Sequence, residues 1–338
     1  MGFGWAEVLT AALLGCLVSF LVTPPVAALA RRLGLLDRSA GRPMLGGCAI
    51  AAGTLVGVGR YLLEGGAVHV AGLSALALGG TITLVAGLLD DRSALSPGHK
   101  FVWQVSATAG AGFGLAWLGV HLDLFLHWPP LPIMLLTVLW VVAITNAVNF
   151  LDNMDGLCAG LGAVAALCLA AINVRSGELT VALVAAALGG ACLGFLPHNW
   201  PRARIFLGDT GSMLIGFLLA ALSVMGVYTR GAQVPVLAVF TPLFVLGIPV
   251  LDCGLVVLLR LRAGHPPWVG DRRHISHRLV QRGMRPAAAV ATLWAAGGMC
   301  GLAGVLLPTV GAAEAPLLLG LVACALGALA AAAGTRGL

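Results

Sequence analysis

Long runs of Leu, Ala, Val and Gly, separated by short breaks that hold most of the charged and turn-forming residues, set the pattern of this chain. Eleven such runs cover residues 5–30, 45–63, 70–89, 101–120, 131–150, 156–174, 179–196, 211–227, 234–259, 286–307 and 316–333. An α-helix needs roughly 20 residues to cross the hydrocarbon core of a bilayer, and these runs are of that length. The alternation of apolar and polar residues that a membrane β-barrel requires is missing. The pattern predicts an all-α, polytopic transmembrane bundle of about 11 helices, in a single domain over residues 1–338. Pro24 and Pro25 are expected to kink the first helix, and Pro242 and Pro249 the ninth.

Composition narrows the picture. Hydrophobic residues make up 59% of the chain and charged residues 9%, whereas a soluble domain carries about a quarter charged residues to cover its surface. A soluble enzyme, a secreted protein and a nucleic-acid-binding protein are excluded. No Lys or Arg precedes the first run, and Arg31 and Arg32 follow it. That order is the reverse of a signal peptide, so the run is expected to stay as a span with the N-terminus outside. Of the nineteen basic residues only Arg60, Arg175 and Arg230 fall in one set of alternate connections, and the rest fall in the other set or in the C-terminal tail. By the positive-inside rule the basic side, with the C-terminus, is cytoplasmic. Eight cysteines are scattered without a C-x-x-C pair and read as small buried hydrophobes, neither a disulfide framework nor a zinc site.

The acidic residues carry the chemistry. Asp37, Asp90, Asp91, Asp152, Asp155, Asp209, Asp252 and Asp271 all fall on the basic side, several of them beside or inside apolar runs. An unpaired charge at a helix centre costs about 2.5–3.5 kcal/mol on insertion scales, so a positive partner is expected. Asp90 and Asp91 end the third run and point about 100° apart on a helix, so one can meet a ligand while the other holds a lysine or a metal; a solvated helix cap is the plainer alternative. Lys100, the only lysine, suits a phosphate as a point charge or serves as a snorkelling anchor. Asn146, Asn149, Asp152 and Asp155 recur every three residues and form a polar ribbon at the end of the fifth span, which a lipid-facing helix would not bear. A transport path or interhelical hydrogen bonds are its alternatives.

Two further segments bear on phosphate. In Phe206-Leu207-Gly208-Asp209-Thr210-Gly211-Ser212 a glycine flanks the aspartate on each side just before an apolar run. That reads as an anion-binding loop at a helix N-terminus or as an ordinary glycine-capped turn, with Asp209 a hard oxygen ligand and Phe206 a stacking face. Arg272, His274 and His277 lie in an arginine-rich loop that suits a diphosphate better than a metal cation; attraction to lipid headgroups explains its arginines alone. Hard carboxylates with phosphate-binding cations imply Mg²⁺ bridging a diphosphate. A transporter would hold its ionisable groups near the midplane in repeated halves, and neither the Asp-Asp nor the Asn-x-x-Asn signal repeats here.

These motifs, with Gly41-Arg42-Pro43-Met44-Leu45-Gly46-Gly47 and Pro249-Val250-Leu251-Asp252, resemble the polyprenyl-phosphate N-acetylhexosamine-1-phosphate transferases. These bacterial membrane enzymes move a sugar 1-phosphate from a UDP-sugar to undecaprenyl phosphate and release UMP. The resemblance implies Asp90, Asp91, Asp152 and Asp155 as catalytic carboxylates and Asn149 and Asp209 as Mg²⁺ ligands, with Mn²⁺ able to substitute. It implies Lys100, Asn146, Asn199, Phe206, Arg272, His274 and His277 as substrate-binding residues, Phe206 stacking on uracil. It also implies a UDP-sugar and a polyprenyl phosphate as substrates, the bacterial cytoplasmic membrane with a cytoplasm-facing site, and a homodimer. Ser276 stands where members that use N-acetylglucosamine usually show a third histidine. The glycine-rich 41–47 segment is nearer the polymer-initiating branch than the peptidoglycan branch, so UDP-N-acetylglucosamine is favoured over UDP-N-acetylmuramoyl-pentapeptide.

Overall fold

The computed structural model describes residues 3–37, 40–66, 68–93, 96–120, 129–228, 236–266, 273–311 and 314–334. Every predicted run is helical: α1 (Phe3–Arg32), α2 (Gly46–Leu63), α3 (Val70–Arg92), α4 (Pro97–Trp117), α5 (Pro130–Phe150), α6 (Leu157–Ser176), α7 (Leu179–Asn199) and α8 (Gly208–Met225) come first. A 3₁₀ turn (Val236–Phe240), α9 (Thr241–Val245), α10 (Gly247–Arg262), α11 (Ile275–Gln281), α12 (Pro286–Leu306) and α13 (Ala315–Ala333) follow. Among the described residues eight helices are long and apolar enough to cross a membrane, or nine if the bent pair described below is one span. The two predicted spans outside that number are α4, which is less apolar, and α13, whose apolar stretch is shorter.

The ninth run departs from expectation. It is broken rather than kinked: residues Ala238–Val245 and Gly247–Arg262 meet at 70°. Proline cannot donate to the helical ladder, and it is tolerated in a first turn, where no intrahelical acceptor exists. Pro242 sits at the start of α9 and Pro249 in the first turn of α10, so the chain stops and restarts at Leu246. By contrast α1 runs through Pro24 and Pro25 as one element. The short α11 was not foreseen by the hydrophobic pattern.

Buried α7 and α8 form the centre, with α1 and α2 packed on α7, α3 and α5 on α8, and α4 between α3 and α5. Small residues set the approach of α1 to α7: a Cβ on Gly190 or Gly194 would lie 1.9 or 2.0 Å from the carbonyl oxygens of Ala12 and Cys16. Without a hydrophobic drive between helices in lipid, such backbone proximity is the main source of packing energy. Phe195 and Phe217 fill the interior. Neighbouring helices run up and down, so the last turns of α3, α5 and α7 and the first turns of α2, α4, α6 and α8 share one end of the bundle. There Phe206 N–H donates to Pro43 O (2.8 Å) and Gly46 N–H to Phe206 O (3.1 Å), which ties the two glycine-rich loops together.

Candidate active site

That shared end holds the polar groups. Lys100 on α4 pairs with Asp209 and lies 3.5 Å from Asp90 Oδ2. Gln104 Nε2, one turn further along α4, donates to Asp90 Oδ2 (2.8 Å) and to Asp209 Oδ1 (3.2 Å). Asn149 Nδ2 from the last turn of α5 donates to Asp209 Oδ1 (2.8 Å) and to Ser212 Oγ (2.8 Å). Two helices, α4 and α5, therefore converge on the one carboxylate at the start of α8, and the ammonium supplies the positive partner that the sequence pattern requires.

The two adjacent aspartates are separated in role. Asp91 turns to α8, where its Oδ1 accepts from Asp209 N–H (2.9 Å) and its Oδ2 from Thr210 N–H (3.1 Å) and Thr210 Oγ1 (2.6 Å). An anionic side chain here satisfies amides left open at a helix start and complements the dipole. Gly208 lies at φ +74°, and a Cβ on it would meet Asp91 Oδ2 at 2.7 Å, so both backbone conformation and space call for glycine. Asp90 is buried behind Lys100.

A cavity of about 430 Å³ opens beside this cluster, with Lys100, Asn149, Asp152, Asp155, Phe206 and Asp209 in its wall. Asp155 Oδ2 accepts from Ala203 N–H (2.9 Å) and faces Arg42 (3.4 Å), whose guanidinium lies 5.3 Å from the centre of the Phe206 ring. Asp152 sits in the turn after α5 and is open to the cavity. Desolvation by the surrounding protein, then the charges of Asp209, Asp91 and Asp155, push its pKa up to about 8 against the pull of Lys100. Its carboxyl therefore holds a proton more readily than an isolated aspartate does.

Of the carboxylates expected to be catalytic, Asp152 and Asp155 line the cavity, whereas Asp90 and Asp91 do not. Asp90 and Asp91 are instead taken up by the hydrogen bonds and ion pair that organise Lys100 and the start of α8. Asn199 lines the cavity and also clamps loops, accepting from Gly156 N–H (2.9 Å) and donating to Ile205 O (3.0 Å). Asn146 lies outside the cavity wall, buried, its amide donating to Val142 O within its own helix. Buried His274 is held through Nδ1 by Asp252 Oδ2 (2.6 Å), with the His277 ring 6.3 Å away. Neither histidine lines the cavity; their helix reaches it through Ser276 Oγ, which donates to the cavity residue Asn153 (2.7 Å). Arg272 lies outside the described residues. The sequence reading missed Gln104, although a polar amide four residues after Lys100 in an apolar run is a visible signal.

Among the described residues no three His, Cys, Asp or Glu side chains converge on a metal-sized site. Mg²⁺ does not need such a cage, because it is usually bound through one or two carboxylates with substrate phosphates and water. Asp209 Oδ2 already takes a cationic ammonium, and Asn149 leaves its Oδ1 out of the bonds made by its amide nitrogen. A carboxylate and an amide oxygen are donors of the hard type that Mg²⁺ takes.

Fold and site together define a polytopic helical membrane protein with a polar cavity, rich in carboxylates and amides, at one end of the bundle. A profile of glycosyl transferase family 4 matches residues 73–227. The chain is 30% identical over 318 residues to a probable undecaprenyl-phosphate N-acetylglucosaminyl 1-phosphate transferase of Bacillus subtilis, covering 89% of this chain and 85% of that protein. It is 34% identical over 313 residues to a decaprenyl-phosphate N-acetylglucosaminephosphotransferase of Mycobacterium tuberculosis, covering 82% and 76%. A phospho-N-acetylmuramoyl-pentapeptide-transferase of a Synechococcus strain is 36% identical over 209 residues, covering 56% and 57%. The chain belongs to glycosyl transferase family 4.

Proposed function

We propose that this protein transfers N-acetylglucosamine 1-phosphate from UDP-N-acetylglucosamine to undecaprenyl phosphate and releases UMP, the first committed step of a cell-envelope polysaccharide. The observation that carries the reading is the convergence of Lys100, Asn149 and Asp209 beside Phe206 in one cavity at the end of a membrane bundle. The relatives matched over most of their length are named for N-acetylglucosamine 1-phosphate transfer to polyprenyl phosphates. The peptidoglycan transferase is matched over little more than half.

In this reading an oxygen of the prenyl phosphate attacks the β-phosphorus of the nucleotide sugar. The bond from that phosphorus to the bridging oxygen breaks, the sugar keeps its 1-phosphate, and UMP leaves with the bridging oxygen. Asp209 and Asn149 would hold a Mg²⁺ ion, with Mn²⁺ able to substitute, and that ion supplies charge neutralisation on the diphosphate. Phe206 offers its ring to the uracil. Lys100, held by Asp90 and Asp209, is the ammonium placed to meet a substrate phosphate. The site faces the cytoplasm of the bacterial inner membrane, the N-terminus lies outside, the C-terminus lies inside, eleven segments cross the bilayer and the protein works as a homodimer.

Purified protein supplied with undecaprenyl phosphate, Mg²⁺ and a panel of UDP-sugars tests the reading. UMP release with UDP-N-acetylglucosamine and formation of the lipid-linked sugar are expected. Turnover only with the muramoyl-pentapeptide donor, or none without a transmembrane ion gradient, would refute it.

A further inference from the structure

The sequence motifs leave Gln104 without a role, yet it is only 3% exposed and lies one turn from Lys100 on the same face of α4. A buried amide in a membrane bundle must find partners. Its Nε2 carries two protons and meets two carboxylates from different helices, Asp90 Oδ2 at 2.8 Å and Asp209 Oδ1 at 3.2 Å. Asn149 Nδ2 adds a second amide on the same Asp209 oxygen at 2.8 Å. Oδ1 is thereby saturated by amide protons, and Oδ2 is the oxygen that meets a cation, the Lys100 ammonium in this structure.

We propose that Gln104 is a positioning residue for the divalent-cation site: its amide joins Asp209 Oδ1 to Asp90 Oδ2 and so locks Asp209 with Oδ2 turned to the incoming ion. This role takes Asp209 as the cation ligand of the proposed transferase. A neutral amide suits the position because it supplies two donors without adding a charge. A lysine there would compete with the metal, and an aliphatic side chain would leave Asp209 Oδ1 held by Asn149 alone and Asp90 facing Lys100 alone. Hydrogen-bond partners one step behind a metal ligand set its orientation and basicity, and their loss typically lowers metal affinity by about 10- to 100-fold.

The test is Mn²⁺ binding in the presence of UMP, followed by electron paramagnetic resonance on the full-length protein in detergent, beside the Mg²⁺ dependence of UMP release. Gln104→Met keeps the side-chain volume and removes both donors. It is expected to weaken Mn²⁺ binding by about 10- to 100-fold and to raise the half-saturating Mg²⁺ by a similar factor, with turnover recovering at high Mg²⁺. Asp209→Ala recovers none. A purely structural role would lower the melting temperature and leave the metal requirement where it is. Gln104→Asn, one methylene short of spanning both carboxylates, should shift in the same direction and serves if the Met variant does not fold. Wild-type Mn²⁺ affinity in a folded Gln104 variant overturns the proposal. No Mn²⁺ binding by the wild-type protein overturns the metal reading of Asp209 itself, and the two failures are thereby told apart.

Discussion

Removing Asp91 should unfold the protein more readily, whereas removing its neighbour Asp90 should not. Asp91 accepts three hydrogen bonds at the start of α8, two from backbone N–H groups and one from the Thr210 hydroxyl. Loss of an N-cap costs about 0.5–2 kcal/mol, loss of an anion at a helix N-terminus up to about 2 kcal/mol, and each buried donor left unpaired about 1–3 kcal/mol. Thr210 is fully buried, so water replaces little of what is lost, and Asp91→Ala is expected to cost about 3–6 kcal/mol. In Asp90→Ala, Lys100 and Gln104 keep Asp209 as a partner, and a like charge is removed from beside it. That variant should lose about 1 kcal/mol or less. Thermal unfolding in detergent micelles, followed by tryptophan fluorescence, measures both; UMP release well below the melting temperature measures function. Asp91→Asn, which keeps one acceptor, should melt between Asp91→Ala and wild type and retain turnover in the cold. An Asp91→Ala protein that melts with the wild type yet is catalytically dead would refute the capping role and place Asp91 on the substrate.

Further outcomes follow from the same geometry. Asp209→Ala and Asn149→Ala should each abolish Mg²⁺-dependent UMP release while the purified proteins keep their circular dichroism; normal turnover in either removes it from the ligand set. Phe206→Leu keeps an apolar wall and removes the stacking face, which is worth about 1–3 kcal/mol per base, so KM for the UDP-sugar should rise about 10-fold or more while kcat moves little; steady-state kinetics decide. Asp152 binds its proton more tightly in the folded chain, its pKa raised from 3.8 to about 8. The nucleotide-free fold therefore loses stability as pH rises through that window. Asp152→Asn should melt above wild type at pH 9 and with it at pH 3. The gain is reduced because the carboxyl faces water in the cavity, and equal melting curves at pH 9 would refute the assigned environment.

The fold was legible wherever a single repeating rule governs a segment. A span needs only enough apolar residues in succession, and among the described residues each of the eleven predicted runs is helical over most of its length. The break at Leu246 was only half legible: Pro242 and Pro249 announce a disturbance, but whether two prolines kink a helix or end it depends on what packs around them. In α1, Pro24 and Pro25 do not end the helix. Helix α11 escaped altogether, since a seven-residue helix in a charged loop is held by tertiary contacts, such as the backbone N–H of Ile275 on Asp252 Oδ1 at 2.7 Å.

The candidate site shows a sharper division. Which residues take part could be read from chemistry that lipid would not tolerate, and Asp90, Lys100, Asn149 and Asp209 do meet. What each does could not, because a carboxylate's task is set by the donors that reach it, and those come from other helices. Asp90 and Asp91 are adjacent in sequence and identical in type, yet one meets an ammonium and an amide while the other meets the first amides of α8. Gln104 makes the same point from the other direction. Nothing in its own segment marks it beyond a polar atom in an apolar helix, and its meaning lies in the two oxygens, from α3 and α8, that it brings together. Sequence pattern selects groups that cannot face lipid, and interhelical register then assigns them as ligand, cap or tether. Substitutions that preserve composition but shift that register should therefore abolish the site while leaving every span intact.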